Sequence, residues 1–172
     1  MRDATSGTLT ELRATVKVLR AAPAPDAETP RGSLGLAGLD ALVAPATAAG
    51  IAVELAVDVP PGALSDTIDA AAYRVVQESL TNVLRHSGAS RAGVRAVVAD
   101  GRLRLTVSDD GRGAPDGPAG APGPGPASGT GIAGMRERVT LLGGTLSAGD
   151  APSGGFVVAA DLPARLDDEE AR

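Results

Sequence analysis

A carboxylate and a carboxamide one helical turn apart, Glu78 and Asn82, precede two glycine-flanked boxes, Asp109-Asp110-Gly111-Arg112-Gly113 and Gly129-Thr130-Gly131-Ile132-Ala133-Gly134-Met135. Oxygen ligands such as Glu78 and Asn82 suit Mg²⁺, which fills the rest of its shell with water and phosphate oxygens. Asp109, followed by glycines at alternate positions, offers an acceptor for an exocyclic amine beside a backbone that can approach a flat base. The second box places free N–H groups ahead of a helix, where the dipole favours an anion. A ligand with a base and a polyphosphate could bridge the boxes, so together they read as a nucleotide site. Each piece alone has a plainer reading. Glu78 and Asn82 also fit a solvated helix face, Asp-Gly turns end many strands, and a glycine-rich run can be a simple connector.

The spacing Gly129-x-Gly131-x-x-Gly134 matches a dinucleotide fingerprint, but its context does not. That fingerprint directly follows a strand within a β-α-β unit and is trailed by an acidic residue about 20 positions on. Here a Pro/Gly-rich stretch precedes it, which leaves a phosphate-facing loop leading into a helix that begins near Ile132.

The surrounding segments determine where these residues stand. Ser65 or Asp66 can cap a long helix that stops at Gly88, with Ile68, Ala72, Val76, Leu80 and Val83 on its apolar face and Glu78, Asn82 and Arg85 opposite. Residues 91–99 and 102–108 read as strands joined by the hairpin turn Asp100-Gly101. Helical spacing at Ile132, Met135, Val139 and Leu142 ends at Gly143-Gly144, and strand-like pieces at 145–148 and 155–162 follow. Upstream, Leu36, Leu39, Leu42 and Val43 suggest a short helix that Pro45 disturbs, and residues 51–57 alternate as a half-buried strand. Leu9, Leu12, Val16 and Leu19 form a narrow helical stripe that needs a partner, and a Pro-rich linker over 21–33 separates it from the rest. The order predicts an α/β (α+β) two-layer sandwich, with helices on one face of a mixed, mostly antiparallel sheet. It divides into a helical remnant at 1–20, the linker, a domain at 34–163 with a loop at 114–128, and an acidic tail at 164–172.

Composition narrows the function classes. Twenty-one acidic against sixteen basic residues, a net charge of -5, argue against a nucleic-acid surface. With no Cys and a single His, disulfides, a cysteine nucleophile and a zinc site are not expected. No apolar run reaches the roughly 20 residues that cross a bilayer, so no direct membrane contact is expected and a cytoplasmic setting fits. Aromatics are limited to one Tyr and one Phe, so the core must come from Val, Leu, Ile and Ala.

The segment Arg74-Val75-Val76-Gln77-Glu78-Ser79-Leu80-Thr81-Asn82-Val83-Leu84-Arg85-His86 resembles the N box of GHKL ATPases, in the form found in nitrate-sensor-like bacterial histidine kinases. The boxes at Asp109 and Gly129 resemble the two glycine boxes of the same family, in the same order, over about 65 residues. The resemblance implies the Bergerat fold, binding of ATP with Mg²⁺, and a set of roles. Asn82 would hold Mg²⁺, Glu78 would sit beside metal and γ-phosphate, and Arg85 or His86 would lie near the phosphates. Asp109 would recognise the adenine amine, while Gly111 and Gly113 would shape its pocket. Residues 114–128 would form the ATP lid, and the run through Gly129, Thr130, Gly131, Ile132, Gly134 and Met135 would admit the phosphates. The stripe from Leu9 to Arg20 resembles the second helix of a dimerisation domain.

Two departures accompany the match. The family's phosphate acceptor is a His of the dimerisation domain, whereas the only His here is His86, inside the N box. Autophosphorylation by this chain alone is therefore not expected. Gly154-Gly155-Phe156 stands where relatives carry Gly-Thr, which removes a hydroxyl from the adenine pocket. The implied function is the ATP-binding catalytic domain of a two-component sensor histidine kinase. It would pass the γ-phosphate to the phosphoacceptor domain of a parent kinase that forms a homodimer, and onward to a response regulator. Alternatives are a non-catalytic nucleotide- or partner-binding regulatory module and an anti-sigma-type serine protein kinase; the stripe at Leu9–Arg20 favours the first.

Overall fold

The computed structural model describes residues 35–112 and 128–166. The stripe at Leu9–Arg20, the linker, Gly113, lid residues 114–127 and the residues from 167 onward lie outside the described residues. A 3₁₀ turn at Leu36–Gly38 leads into α1 (Leu39–Ala48), followed by β1 (Ala52–Asp58) and α2 (Asp66–Asn82), which continues as a single π turn at Val83–Ser87. Then come β2 (Arg91–Ala99), β3 (Arg102–Asp109), α3 (Ser128–Leu141), β4 (Thr145–Asp150) and β5 (Phe156–Pro163). The strands form one sheet in the order β1-β2-β3-β5-β4. Only β1 and β2 are parallel, with α2 lying between them in the chain; the other three pairings are antiparallel.

Period-two burial separates the two layers. Ala92, Val94 and Ala96 of β2, Leu103, Leu105 and Val107 of β3, and Val158, Ala160 and Leu162 of β5 are all buried. Their alternate neighbours, including Arg95, Arg104, Thr106 and Asp161, form a more exposed polar face on which Asp161 pairs with Arg102 and Arg104. Helix α2 packs against α1, α3, β3 and β5. This central position widens its apolar stripe beyond the expected one: Ala71, Tyr73, Val75 and Ser79 are buried besides Ile68, Ala72, Val76, Leu80 and Val83. A two-layer sandwich with a mostly antiparallel sheet is thus observed.

Local chemistry explains most boundaries. Asp100 and Gly101 take φ of 55° and 70°, the left-handed pair that a two-residue hairpin turn requires. Pro45 sits inside α1 without ending it, although a proline there removes one i→i−4 bond and crowds the preceding turn. Ser65 occupies the N-cap of α2, yet its hydroxyl makes no capping bond and has no hydrogen-bond partner among the described residues. Strand β1 is less buried than its alternation suggests, with Val57 at 44 % exposure, because it is an edge strand.

The chain stays packed past the end of β5, and one expected boundary needs correction. Ala164 is buried, donates its N–H to the Gly101 carbonyl at 2.8 Å and accepts one from Ser65 at 2.9 Å, while the Arg165 guanidinium donates to the Gly62 carbonyl. Helix α3 begins at Ser128 rather than near Ile132, so Gly129, Thr130 and Gly131 form its first turn instead of a preceding loop. The first four N–H groups of a helix need no intrahelical acceptor, so glycines are tolerated there at little cost.

Candidate functional site

Glu78 and Asn82 lie on the last turns of α2, both half-buried, four residues apart. The expected third member of their face, Arg85, falls instead in the π turn. That turn is wider and rotates the chain less per residue, so Arg85 lags behind the line of Glu78 and Asn82. Arg85 and His86 are both exposed. Ser87 closes the turn. Its hydroxyl donates to the Val83 carbonyl at 2.8 Å and accepts the Ala89 N–H at 3.0 Å.

Ser87 also ties the helix to the first glycine box. Its carbonyl accepts the Arg112 N–H at 3.0 Å, and a Cβ on Gly111 would stand only 2.7 Å from the Ser87 Cβ. Any side chain at 111 would push the loop off the helix end. Ser87 carried no signal in the sequence, because a serine before a helix-stopping glycine has many uses and this one acts through its backbone carbonyl.

Asp109 ends β3, half-buried, on the helix-covered face. Its carboxylate accepts the Gly111 N–H at 2.8 Å. Burial raises its pKa above the ordinary 3.8; the Gly111 bond opposes this, the neighbouring Asp110 charge adds to it, and the nearby Phe156 backbone opposes it. The Gly111 N–H orients the carboxylate as an acceptor. Asp110 serves a different purpose. Its carboxylate takes the N–H groups of Arg91 and Ser90 and the Ser90 hydroxyl, at 2.7–2.8 Å, which pins the start of β2 to the end of β3. Those bonds, the Arg91 N–H foremost, hold its pKa below the usual value.

The turn between β4 and β5 completes this end of the sheet. Gly155 has φ of 85°, and a Cβ there would overlap the Asp109 carbonyl. Only glycine allows both the left-handed backbone and the close approach. The sequence pointed to this segment for a hydroxyl it lacks, whereas the structure shows that its backbone holds Asp109 in place.

Across the site, α3 approaches α2. A Cβ on Gly131 would overlap Glu78 Oε1, so the absence of a side chain lets the helix pass directly over that carboxylate. A Cβ on Gly134 would meet nothing within 4 Å among the described residues. Met135 was expected among the cofactor-binding residues. It is 1 % exposed, with the Ser79 hydroxyl donating to its sulfur at 4.0 Å, so its side chain belongs to the core between α2 and α3. Ile132 is half-buried against the same core. Gly129 and Thr130 lie in the first turn of α3. The structure thus gathers Glu78, Asn82 and Gly131 on one side, and Asp109, Gly111, Gly155 and Phe156 on the other, with Ser87 joining them.

The residues fit a magnesium nucleotide. No group of three or more His, Cys, Asp and Glu side chains able to hold a metal occurs among the described residues. A cation at Asn82 and Glu78 would then have few protein ligands and would need phosphate and water oxygens, as Mg²⁺ does. The side-chain-free backbone at Gly131, against the Glu78 carboxylate, and the acceptor at Asp109 suit the two ends of such a ligand. Two shallow hollows of about 300 and 360 Å³, beside β1 and on the polar face of the sheet, contain none of these residues.

A sheet with helices on one face, an acceptor carboxylate at a strand end and a carboxylate–carboxamide pair on the central helix define a nucleotide-binding ATPase domain. The family described as histidine kinase-, DNA gyrase B-, and HSP90-like ATPase matches residues 67–166, more than half of the chain, and the chain belongs to that family. Over 85 residues it is 41% identical to the signal transduction histidine-protein kinase/phosphatase UhpB of Salmonella typhimurium, covering 49% of this chain and 16% of that protein. It is 40% identical over 98 residues to the sensor histidine kinase NarS of Mycobacterium tuberculosis, covering 56% and 22%. The matched segment therefore spans less than a quarter of either relative. Among solved structures, the Erythrobacter litoralis EL346 blue-light activated histidine kinase superposes with a TM-score of 0.58 at 28% identity, covering 76% of this chain and 46% of that chain.

Proposed function

We propose that this chain is the ATP-binding catalytic domain of a two-component sensor histidine kinase, supplying the γ-phosphate to a His on a dimerisation domain and, through it, to a response regulator. The observation that carries the reading is the pairing of a backbone-fixed Asp109 carboxylate with Glu78 and Asn82 across a joint at Ser87 and Arg112. Asp109 accepts the adenine amine. Asn82 is the Mg²⁺ ligand, with Glu78 beside it, and the exposed side chains of Arg85 and His86 attend the phosphates. The Gly129–Gly134 stretch of α3 admits the phosphate chain. Bound Mg²⁺ would neutralise charge on the β- and γ-phosphates. The chain's own residues position the ligand, which is most of what phosphoryl transfer asks of a protein.

Kinship with sensor histidine kinases supports this over an anti-sigma-type serine kinase or a purely regulatory module. In this reading the domain belongs to a homodimeric parent kinase and faces the cytoplasm. No described helix is long and apolar enough to cross a membrane. The test is radiolabelled ATP with the chain, alone and mixed with a dimerisation domain from a relative. Acid-labile label on that domain's His, absent when Asp109→Asn replaces the wild type, is the expected result. Acid-stable label on serine, or calorimetry showing that ATP does not bind, would remove the reading.

A further inference from the structure

Phe156 has a position the proposed function does not use. It is the first residue of β5, one step beyond the Ser108–Val157 pair, which sets it across the strand pair from Asp109. Val158, Ala160 and Leu162 share its side of the strand and are buried on the helix-covered face, the same face that Leu103, Leu105, Val107 and Asp109 occupy on β3. Side chains directly opposite on one face of an antiparallel pair have Cβ atoms about 5 Å apart. Gly155 packs its backbone onto the Asp109 carbonyl, which holds Phe156 close to Asp109 across the strand pair.

The chain has only two aromatic residues, Phe156 and Tyr73. Tyr73 is 5 % exposed in the core. Phe156 is half-buried, packed on the core along part of its surface and open along the rest. Of the two rings, only this one has free surface at the end of the sheet where Asp109 lies.

We propose that Phe156 is the ring-size selector of the nucleotide site, forming an apolar wall beside Asp109 against which a purine packs while Asp109 takes its amine. This rests on the nucleotide-site reading above and divides base recognition between two residues. Asp109 distinguishes an amine-bearing base from one with a carbonyl at that position. Phe156 distinguishes the larger, two-ring surface of a purine from a pyrimidine. ATP satisfies both, CTP offers the amine on a smaller ring, and GTP offers the ring with a carbonyl in place of the amine.

The experiment is calorimetric titration of the 172-residue protein with ATP, CTP and GTP in Mg²⁺, alongside melting without nucleotide, for wild type and for Phe156→Leu, Phe156→Met and Phe156→Tyr. Base–aromatic stacking of ordinary strength predicts that the Leu and Met variants bind ATP about fivefold or more weakly. Their preference for ATP over CTP should shrink, their preference over GTP should stay, and Tyr should keep wild-type behaviour. If Leu fails to fold, the Met and Tyr variants decide. Wild-type ATP affinity in the Met variant, or equal losses for ATP and CTP, overturns the assignment while leaving the nucleotide site intact. Failure of the wild type to bind any of the three overturns both.

Discussion

Replacing Gly131 with alanine should separate stability from function. At the end of the first turn of α3 the change gains at most the ~0.5–1 kcal/mol that alanine is worth over glycine in a helix interior. The new Cβ overlaps Glu78 Oε1, which must withdraw by about 1 Å to reach ordinary contact. Glu78 is half-buried and the atom in question is the end of a flexible side chain, so an off-rotamer cost of about 0.5–1.5 kcal/mol bounds the penalty. The two effects nearly cancel, and the melting temperature should move by no more than a few degrees. Gly134→Ala is the internal control. Its Cβ meets nothing within 4 Å among the described residues, so it should keep the whole propensity gain and melt higher. Function should divide the other way, since misplacing a group by about 1 Å in a phosphoryl-transfer site can cost about 100-fold in rate. Melting curves of both variants, with Mg·ATP affinity and phosphotransfer to a supplied dimerisation domain, provide the readout. Gly131→Ala with full phosphotransfer would refute the argument that Glu78 and the first turn of α3 share one crowded space. A loss of several kcal/mol would show that the contact is rigid rather than yielding.

Three further outcomes follow from the site. ATP affinity should fall as pH drops through the Asp109 pKa, and because burial raises that pKa, the decline should begin above 3.8; a titration curve flat down to that value would count against Asp109 as acceptor. The sign for stability is opposite at the two neighbours. Ionised Asp109 costs stability at neutral pH and relieves it on protonation, whereas the depressed pKa of Asp110 marks stability present at neutral pH and lost as pH falls through it. Asn82→Ala should leave melting close to wild type and abolish the Mg²⁺ dependence of ATP binding in calorimetry, and an unaltered Mg²⁺ titration would exclude Asn82 as ligand. Gly155→Ala should destabilise by about 2 kcal/mol or more beyond Gly154→Ala in denaturant unfolding, because both carry the left-handed strain but only residue 155 strikes backbone; equal losses would contradict the close packing on Asp109.

The candidate site was legible where its signal is local. Glu78 and Asn82 are one turn apart on any helix, and Asp109 with its following glycines marks a strand end whatever the strand pairs with. Other parts gave no such signal. Arg85 falls in a π turn that no sequence pattern marks, and hydrogen bonds at the end of that turn join Ser87 to Val83 and to Arg112. Met135 follows the second glycine box in sequence, but the rotation of α3 carries it into the core. Gly155 and Phe156 lie 46 and 47 positions beyond Asp109 and reach it only through the β3–β5 pairing.

By itself the sequence determined the elements and their faces, since period, turn residues such as Asp100-Gly101 and helix stops act over a few positions. It also determined the chemistry on offer, because carboxylates, carboxamides and bare glycines are properties of residue type. Only the tertiary structure decided that β1 runs parallel to β2, that β5 inserts between β3 and β4, and that the chain stays packed through Ala164. Those outcomes depend on which distant surfaces bury one another, a competition among long-range pairings that no local pattern records. The insertion of β5 beside β3 brings Gly155 and Phe156 to Asp109 and so turns a solitary aspartate into a fixed acceptor with an aromatic neighbour across the strand pair.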